Sequence, residues 1–220
     1  MGVLEDWKVT RAELNEVLDT RPSARGHLFG FVAEYKLTKL WFSDPRIQSL
    51  RRYDDHDRTR PGDFGFIYRG MPVNVSVKSL QTASVKEVED EEDAYTGRCQ
   101  CDASDKRRVT LPNGKKMNTT NLVVGGFDLL AVNIFHFGKE WRFAFAKNSE
   151  LPRSTAKKYT ETQRKYLLAT SIPLTWPLEP PFRDEPFAHL DEIVRARAVG
   201  ARRVKGLAAE DEAPYRRQPN

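Results

Sequence analysis

The stretch Pro61 to Gln81 reads P-G-D-F-G-F-I-Y-R-G-M-P-V-N-V-S-V-K-S-L-Q. Apolar side chains alternate in both halves, Phe64, Phe66 and Tyr68 in the first and Val73, Val75 and Val77 in the second. That period of two is the mark of strands with one face buried. Gly70 and Pro72 punctuate the middle, so the stretch is expected to form a β-hairpin centred on Gly70-Met71. In that register Phe64 lies opposite Val77, Phe66 opposite Val75 and Tyr68 opposite Val73. Aromatic–β-branched cross-strand pairs contribute roughly 0.2–1 kcal/mol each, which favours this register over a one-residue slip. Because Pro72 has no N–H, a four-residue loop from Arg69 to Pro72 is expected. The same register sets Asp63 opposite Lys78, with Ser76 on the face of that lysine. A carboxylate and an ammonium would then meet at the open end of the hairpin. An ordinary surface ion pair is the alternative, and it would contribute little to stability.

The chain around this hairpin has 220 residues, long enough for one well-buried domain and short for two. We expect residues 1–200 to form the domain and residues 201–220 a flexible basic and polar tail. No run of about 18 uncharged apolar residues occurs, which excludes a transmembrane helix. The acidic N-terminus M-G-V-L-E-D-W-K resembles no secretory leader and lacks the Ser or Thr that myristoylation requires, so a cytoplasmic location is expected. Cys99 and Cys101 form a C-x-C with too few ligands nearby for zinc, and are expected to be small residues sharing one strand face.

The net charge of +5 is unevenly spread. One acidic run, Glu87 to Asp93, is set against Lys106-Arg107-Arg108 with Lys115-Lys116, the segment Arg153 to Lys165, and Arg195 to Lys205. A one-sided basic surface suits a polyanion, nucleic acid being the commonest, although a merely solvated surface has the same composition.

Residues 10–20 suit a short helix with Leu14, Val17 and Leu18 inward. A second helix is expected over 24–42, introduced by Pro22 and Ser23 and apolar over most of its circumference, hence well buried. Glu34 sits on its stripe with His27, Leu37 and Trp41. An isolated buried carboxylate is strongly unfavourable, so Glu34 needs a metal or a charge partner, for which Lys36 and Lys39 are nearest in sequence. Asp54, Asp55, His56 and Asp57 lie among arginines and read as a solvated loop rather than a metal site. Residues 82–96 read as a loop or mobile helix. Arg98 to Thr110 is expected to pair with Met117 to Val124 across the turn L-P-N-G-K-K. The nearly continuous apolar run F-D-L-L-A-V-N-I-F (127–135) reads as a central strand covered on both faces, followed by a strand over 141–146. A short helix over 160–169 and an amphipathic one over 186–199, through Phe187, Leu190, Ile193 and Val194, complete the chain. The expected fold is a single α/β domain with a central mixed sheet of four to six strands flanked by helices.

With these elements placed, the chain resembles the PD-(D/E)XK nuclease superfamily, and type II restriction endonucleases in particular. The resemblance covers roughly residues 27–146. It rests on a helix bearing Glu34, on Pro61-Gly62-Asp63 with an inserted glycine, on Ser76-Val77-Lys78 in the next strand, and on the buried strand that follows. A second S-V-K, Ser84-Val85-Lys86, lacks that strand context. Gln81 resembles a glutamine found in some branches. The resemblance implies a restriction-endonuclease-like fold and Mg²⁺-dependent hydrolysis of phosphodiester bonds in double-stranded DNA, by a homodimer. It implies Asp63 and the backbone carbonyl of Val77 as metal ligands, and Lys78 as the residue that orients or deprotonates the attacking water. Where the family usually has an acid this chain has Ser76, and relatives of that kind recruit a carboxylate from the preceding helix, here Glu34. Ser76 would then hydrogen-bond a water. Lys106, Arg107, Arg108, Lys115 and Lys116 are the candidate DNA contacts. A recombination or repair nuclease with the same site, and a DNA-binding module that has lost catalysis, remain as alternatives. A serine hydrolase built on Ser76 and Lys78 is disfavoured, because no nucleophile-elbow glycines or oxyanion donors accompany them.

Overall fold

The computed structural model describes residues 2–54 and 62–211, apart from the side chains of Ser104 and of residues 201–211. Of the loop read as solvated, Asp55, His56 and Asp57 lie outside the described residues, as do Pro61 and residues 212–220.

Helices α1 (Val3–Asp6), α2 (Arg11–Thr20) and α3 (Pro22–Leu37) come first. Thr10 starts α2 through a capping box: its Oγ1 accepts from the Glu13 N–H at 3.2 Å, and Glu13 accepts from the Thr10 N–H at 2.7 Å. Pro22 occupies the first position of α3, where a missing N–H has no consequence. A π-helical turn, Thr38–Phe42, extends α3 over the rest of the expected helix. The expected burial does not hold. Ala33, Leu37 and Phe42 are buried, but Leu28, Phe31, Tyr35 and Leu40 are 40–59% exposed. A helix apolar on every side needs cover on every side, and α3 has the sheet on one side only. In α2 no residue is buried, and Val17 is half exposed rather than inward.

The main sheet contains β1 (Ile47–Arg52), β2 (Phe64–Tyr68) and β3 (Met71–Ser79). The chain then passes through β4 (Lys86–Glu87), β5 (Tyr95–Gln100), β6 (Asp102–Thr110) and β7 (Lys116–Asn121) before returning with β8 (Leu129–Asn133) and β9 (Phe143–Lys147). The strand order is β1-β2-β3-β8-β9, with β3 and β8 parallel and the other pairs antiparallel. After β9 come α4 (Glu161–Tyr166), β10 (Ser171–Trp176) and α5 (Phe187–Asp211). A second sheet has the order β10-β5-β4, and β6 pairs with β7 alone. This is the expected mixed α/β architecture.

β8 is buried at every position, which is why its sequence lacks alternation. Leu129 and Ala131 point into a core with Phe64, Phe66, Val73 and Val75, closed by Leu37 and Phe42 from the α3 side and Leu190 from α5. Leu130 and Val132 point the other way, into a core with Cys99, Ile172 and Leu174 of the second sheet. The main sheet is thus sandwiched between helices and a smaller sheet. Phe187, Ile193 and Val194 pack on the helical side as their spacing implied, but the final helix runs on to Asp211 instead of ending at 199.

The hairpin β2–β3 forms with the expected face and a different register. Phe64 pairs with Val75, Phe66 with Val73 and Tyr68 with Met71, two residues from the expected alignment. The loop is the two residues Arg69 and Gly70, at φ +48° and +75°, not the four from Arg69 to Pro72. Two positive φ values give the turn whose twist matches the strands. Pro72 lies across from Ile67, one residue on from the Tyr68–Met71 pair, so its nitrogen faces away from β2 and no ladder bond is lost. A shift by two keeps every side chain on its own face, so the core pattern survives the change. β6 and β7 pair as expected, whereas Arg98 to Gln100 belong to β5.

Candidate functional site

At the end of β2 the chain turns away from β3, and Asp63 takes over the edge that β2 leaves open. The Asp63 N–H donates to the Val75 carbonyl at 2.8 Å. Its carboxylate Oδ2 then accepts from the Val77 N–H at 2.5 Å and from Ser76 Oγ at 3.2 Å. Within a strand the N–H and C=O of one residue point to the same side. The Val77 carbonyl therefore faces the same edge as the Asp63 carboxylate. Asp63 does not stand opposite Lys78 as the expected register had it; the two-residue shift brings it to Ser76 and Val77 instead.

Gly62 makes this turn possible. It sits at φ +89°, and a Cβ there would lie 2.5 Å from the Val75 carbonyl oxygen. Both facts demand glycine, the first on backbone conformation and the second on space. The glycine between Pro61 and Asp63 is thus the residue that lets the carboxylate cross the strand end.

Lys78 follows Ser76 by two positions on the same face of β3, about 6–7 Å further along the strand. It is half-buried and has no ion-pair or hydrogen-bond partner among the described residues. Its ammonium lowers the proton affinity of both Cys99 and Cys101, but burial dominates each thiol and raises its pKa, that of Cys101 to about 11. Both cysteines are fully buried and free. Just past β3, Gln81 Nε2 donates to Gln100 Oε1 at 3.1 Å, and Thr82 Oγ1 lies 3.2 Å from His136 Nε2. Burial holds the His136 pKa below the usual histidine value, with Lys139 adding to the effect.

Glu34 is 17% exposed in its side chain and accepts from Arg52 Nε at 2.6 Å. Arg52 pairs with Phe64, the residue after Asp63, and the Tyr53 N–H donates to the Asp63 carbonyl at 2.9 Å. Glu34 therefore stands at the same end of the sheet as Asp63. Arg52, eighteen residues away in sequence, is a charge partner of Glu34, where Lys36 or Lys39 was the alternative to a metal.

Asp63, Glu34 and the Val77 carbonyl are hard oxygen donors, the kind Mg²⁺ prefers, and that ion usually completes its shell with water and phosphate. No group of three or more His, Cys, Asp or Glu suited to a metal occurs among the described residues. An ion here would be held by one or two carboxylates and not by an all-protein cage.

A second aspartate, missed in the sequence, does similar backbone work at the other edge of β3. Asp128 Oδ2 accepts from the Asn74 N–H at 2.8 Å, and Arg197 of α5 binds both Asp128 and the Pro72 carbonyl. Asp128 lies inside an apolar run, and that unusual context was the available signal.

The basic candidates lie on the β6–β7 arm. Lys106 and Arg108 alternate on one face of β6, and Lys116, opposite Thr110, joins them from β7. All three are exposed, as is Lys115 in the turn. Arg107 is half-buried on the other face, which carries Val109 and Met117 toward a small core with Leu111, Tyr159 and Leu167. The arm therefore has a basic face and a packed face. No helix among the described residues is long and apolar enough to cross a membrane.

No family model matches the chain. No curated protein matches it either. Among solved structures, a bacterial homing endonuclease aligns with 64% of this chain and 87% of its own, at 15% identity and a TM-score of 0.33. At that TM-score the two chains cannot be equated in fold or in function.

Proposed function

We propose that this chain is a Mg²⁺-dependent endonuclease of double-stranded DNA, of the type II restriction kind and acting as a homodimer. The observation that carries the reading is Lys78. A half-buried lysine without an anionic partner among the described residues is available to an incoming anion, and it lies on the strand end that Asp63 clasps. The resemblance of Gly62-Asp63 and Ser76-Val77-Lys78 to the nuclease motif and the basic face of the arm point the same way.

In this reading Asp63, the Val77 carbonyl and Glu34 hold the metal, whose chemistry is to lower the pKa of water and polarise the phosphoryl group. Ser76 Oγ and the Val77 N–H fix the Asp63 carboxylate through Oδ2, leaving Oδ1 without a hydrogen bond among the described residues. Lys78 Nζ orients the attacking water and donates to the phosphoryl oxygens as charge builds on them. The water oxygen adds to phosphorus while the ester P–O bond breaks, and solvent accepts and returns the protons. Lys106, Arg108, Lys115 and Lys116 hold the phosphate backbone, with Arg107 beneath them.

Incubation of plasmid or phage DNA with the protein tests this. Discrete fragments are expected with Mg²⁺ and none with EDTA, and Asp63→Ala and Lys78→Ala should each abolish cutting. Full cleavage by either variant would sink the site assignment.

A second reading, a DNA-binding module without catalysis, is favoured by Ser76 at the acid position and by the Arg52 guanidinium that engages Glu34. DNA retention with no metal-dependent cleavage under any condition would select it.

A further inference from the structure

Beside β9, at the edge of the main sheet, a cavity of about 300 Å³ opens between three tryptophans, Trp41, Trp141 and Trp176, with Leu40, Phe143, Arg142 and Asp184 completing its wall. The volume is at the lower end of the range for small-molecule clefts. Three of the four tryptophans in the chain meet here.

The rings are held in place from behind. Trp41 meets Phe145 edge-on at 5.7 Å, and Trp141 stacks on Phe29 at 5.5 Å and lies 4.6 Å from Phe135. Trp176 donates its indole N–H to Asp93 at 3.2 Å and carries the Arg142 guanidinium over its face at 4.6 Å. A flat ligand entering such a site orders little side-chain freedom.

Charge narrows the choice of ligand. A cation would meet Arg142 in the wall and Lys36 over Trp141 at 5.8 Å, so an ammonium ligand is disfavoured. A purely apolar ligand would cover polar groups without replacing their hydration. The Asp184 carboxylate has no hydrogen bond or ion pair among the described residues. Arg142 pairs with Glu140 at 2.5 Å through Nη2 and its Nη1 is buried 3.7 Å from Asp93, so the donors it can offer a ligand are Nε, which has no hydrogen bond among the described residues, and the second N–H of Nη2. The fitting ligand is flat, neutral, and has two adjacent donors on one edge and acceptors on another.

We propose that this cavity binds a guanine base. Its N1–H and N2–H₂ form the adjacent donor pair that one carboxylate accepts, and its O6 and N7 are the acceptor edge that a guanidinium reads. Adenine and cytosine set a donor beside an acceptor where guanine has two donors, and thymine has a single donor between two acceptors. The base arrives either in a free guanine nucleotide or as an unstacked base of a single strand, and stacking on aromatic rings suits both. The inference is independent of the nuclease reading.

Tryptophan fluorescence of the full chain, excited at the red edge of the indole band, tests it. Saturable quenching is expected with GMP, at least tenfold tighter than with AMP, CMP or UMP. Asp184→Asn should erase that preference, because the amide N–H₂ opposes the guanine donors. Trp141→Leu should abolish binding of every base with the circular dichroism spectrum unchanged. If that variant fails to fold, the exposed Asp184→Asn still decides the matter. A thymidine oligonucleotide with one central guanine, compared with the all-thymidine strand, separates the sources. Preference for the guanine strand without GMP binding assigns the pocket to nucleic acid, and equal affinity for GMP assigns it to the free nucleotide. Equal binding of all four nucleotides, no guanine preference in either format, or an unchanged preference in Asp184→Asn would overturn the proposal.

Discussion

Asp63 has a structural task whatever else it does. Its carboxylate takes the Val77 N–H that β2 no longer reaches, so loss of activity in Asp63→Ala would mix two causes. Asparagine separates them. Asp63→Asn keeps an oxygen acceptor for Val77 and Ser76, and its unfolding free energy is expected within about 1 kcal/mol of the parent. Asp63→Ala leaves the Val77 N–H unsatisfied and should lose about 1–3 kcal/mol in a urea titration. On the proposed mechanism both variants are equally inactive in DNA cleavage, because neither can hold a cation with a full negative charge. Cleavage by Asp63→Asn at the parent rate would leave Asp63 with the structural task alone. The sequence offered both Asp63 and Asp128 as acids beside apolar runs. Only the surroundings distinguish them, since Arg197 pairs with Asp128 whereas Asp63 is met by a hydroxyl and a backbone N–H.

The β6–β7 arm was legible as a hairpin from L-P-N-G-K-K, and the alternation of Lys106 and Arg108 follows once the strand is granted. Gly114 at φ +80° sits in the turn as that signal implies. If the arm binds phosphates, replacing Lys106, Arg108 and Lys116 together by glutamine should flatten the dependence of log affinity on log salt by about 0.9 for each phosphate released. Arg107→Gln should change that slope less, because the side chain lies on the packed face. Equal slopes for the triple variant and the parent would remove the arm from the interface. The site hairpin was legible in its faces and not in its register. Alternating apolar residues fix a face, but register depends on the turn, and Arg69 is not a residue from which a left-handed conformation is expected. Helix α3 failed in the opposite sense: its residues were assigned to helix correctly, and their burial was overestimated because apolar content does not reveal how many neighbours a helix has.

The sandwich of helices, main sheet and second sheet was only half visible in the sequence. A central buried strand could be read from residues 127–135, whereas the pairing of β5 with β10 joins segments some seventy residues apart and leaves no local trace. Leu130, fully buried between the two sheets, reports on that packing. Leu130→Ala is expected to lose about 2–5 kcal/mol of stability in a denaturant titration, as for other large-to-small core changes. The helical layer is fastened differently. Glu192 of α5 pairs with Lys147 of β9 and with Arg183, and chiefly the Lys147 hydrogen bond brings its pKa down from 4.5 to about 2. A carboxylate with a depressed folded-state pKa contributes stability above its unfolded value and loses it as the pH falls through the folded one. Thermal melts should therefore show an acid-side decline between pH 4.5 and about 2, and Glu192→Gln should shrink that component. An identical acid limb in the variant would place the linkage on other groups. Solvent screens this partly exposed pair, so the effect is expected to be modest.

Between the parallel partners β3 and β8 the polypeptide makes its whole excursion through β4, β5, β6 and β7. Strands that run side by side in the same direction need a connection of at least a dozen residues, usually a helix, and here it is made of paired strands. β4 and β5 already supply enough chain to bridge the gap, so the exposed face of the arm, with Lys106, Arg108 and Lys116, is free to change its charges while Leu111 in its turn stays packed. If the arm does hold phosphates, its reach toward a partner can therefore be retuned on that one exposed face while the strand ends stay as they are.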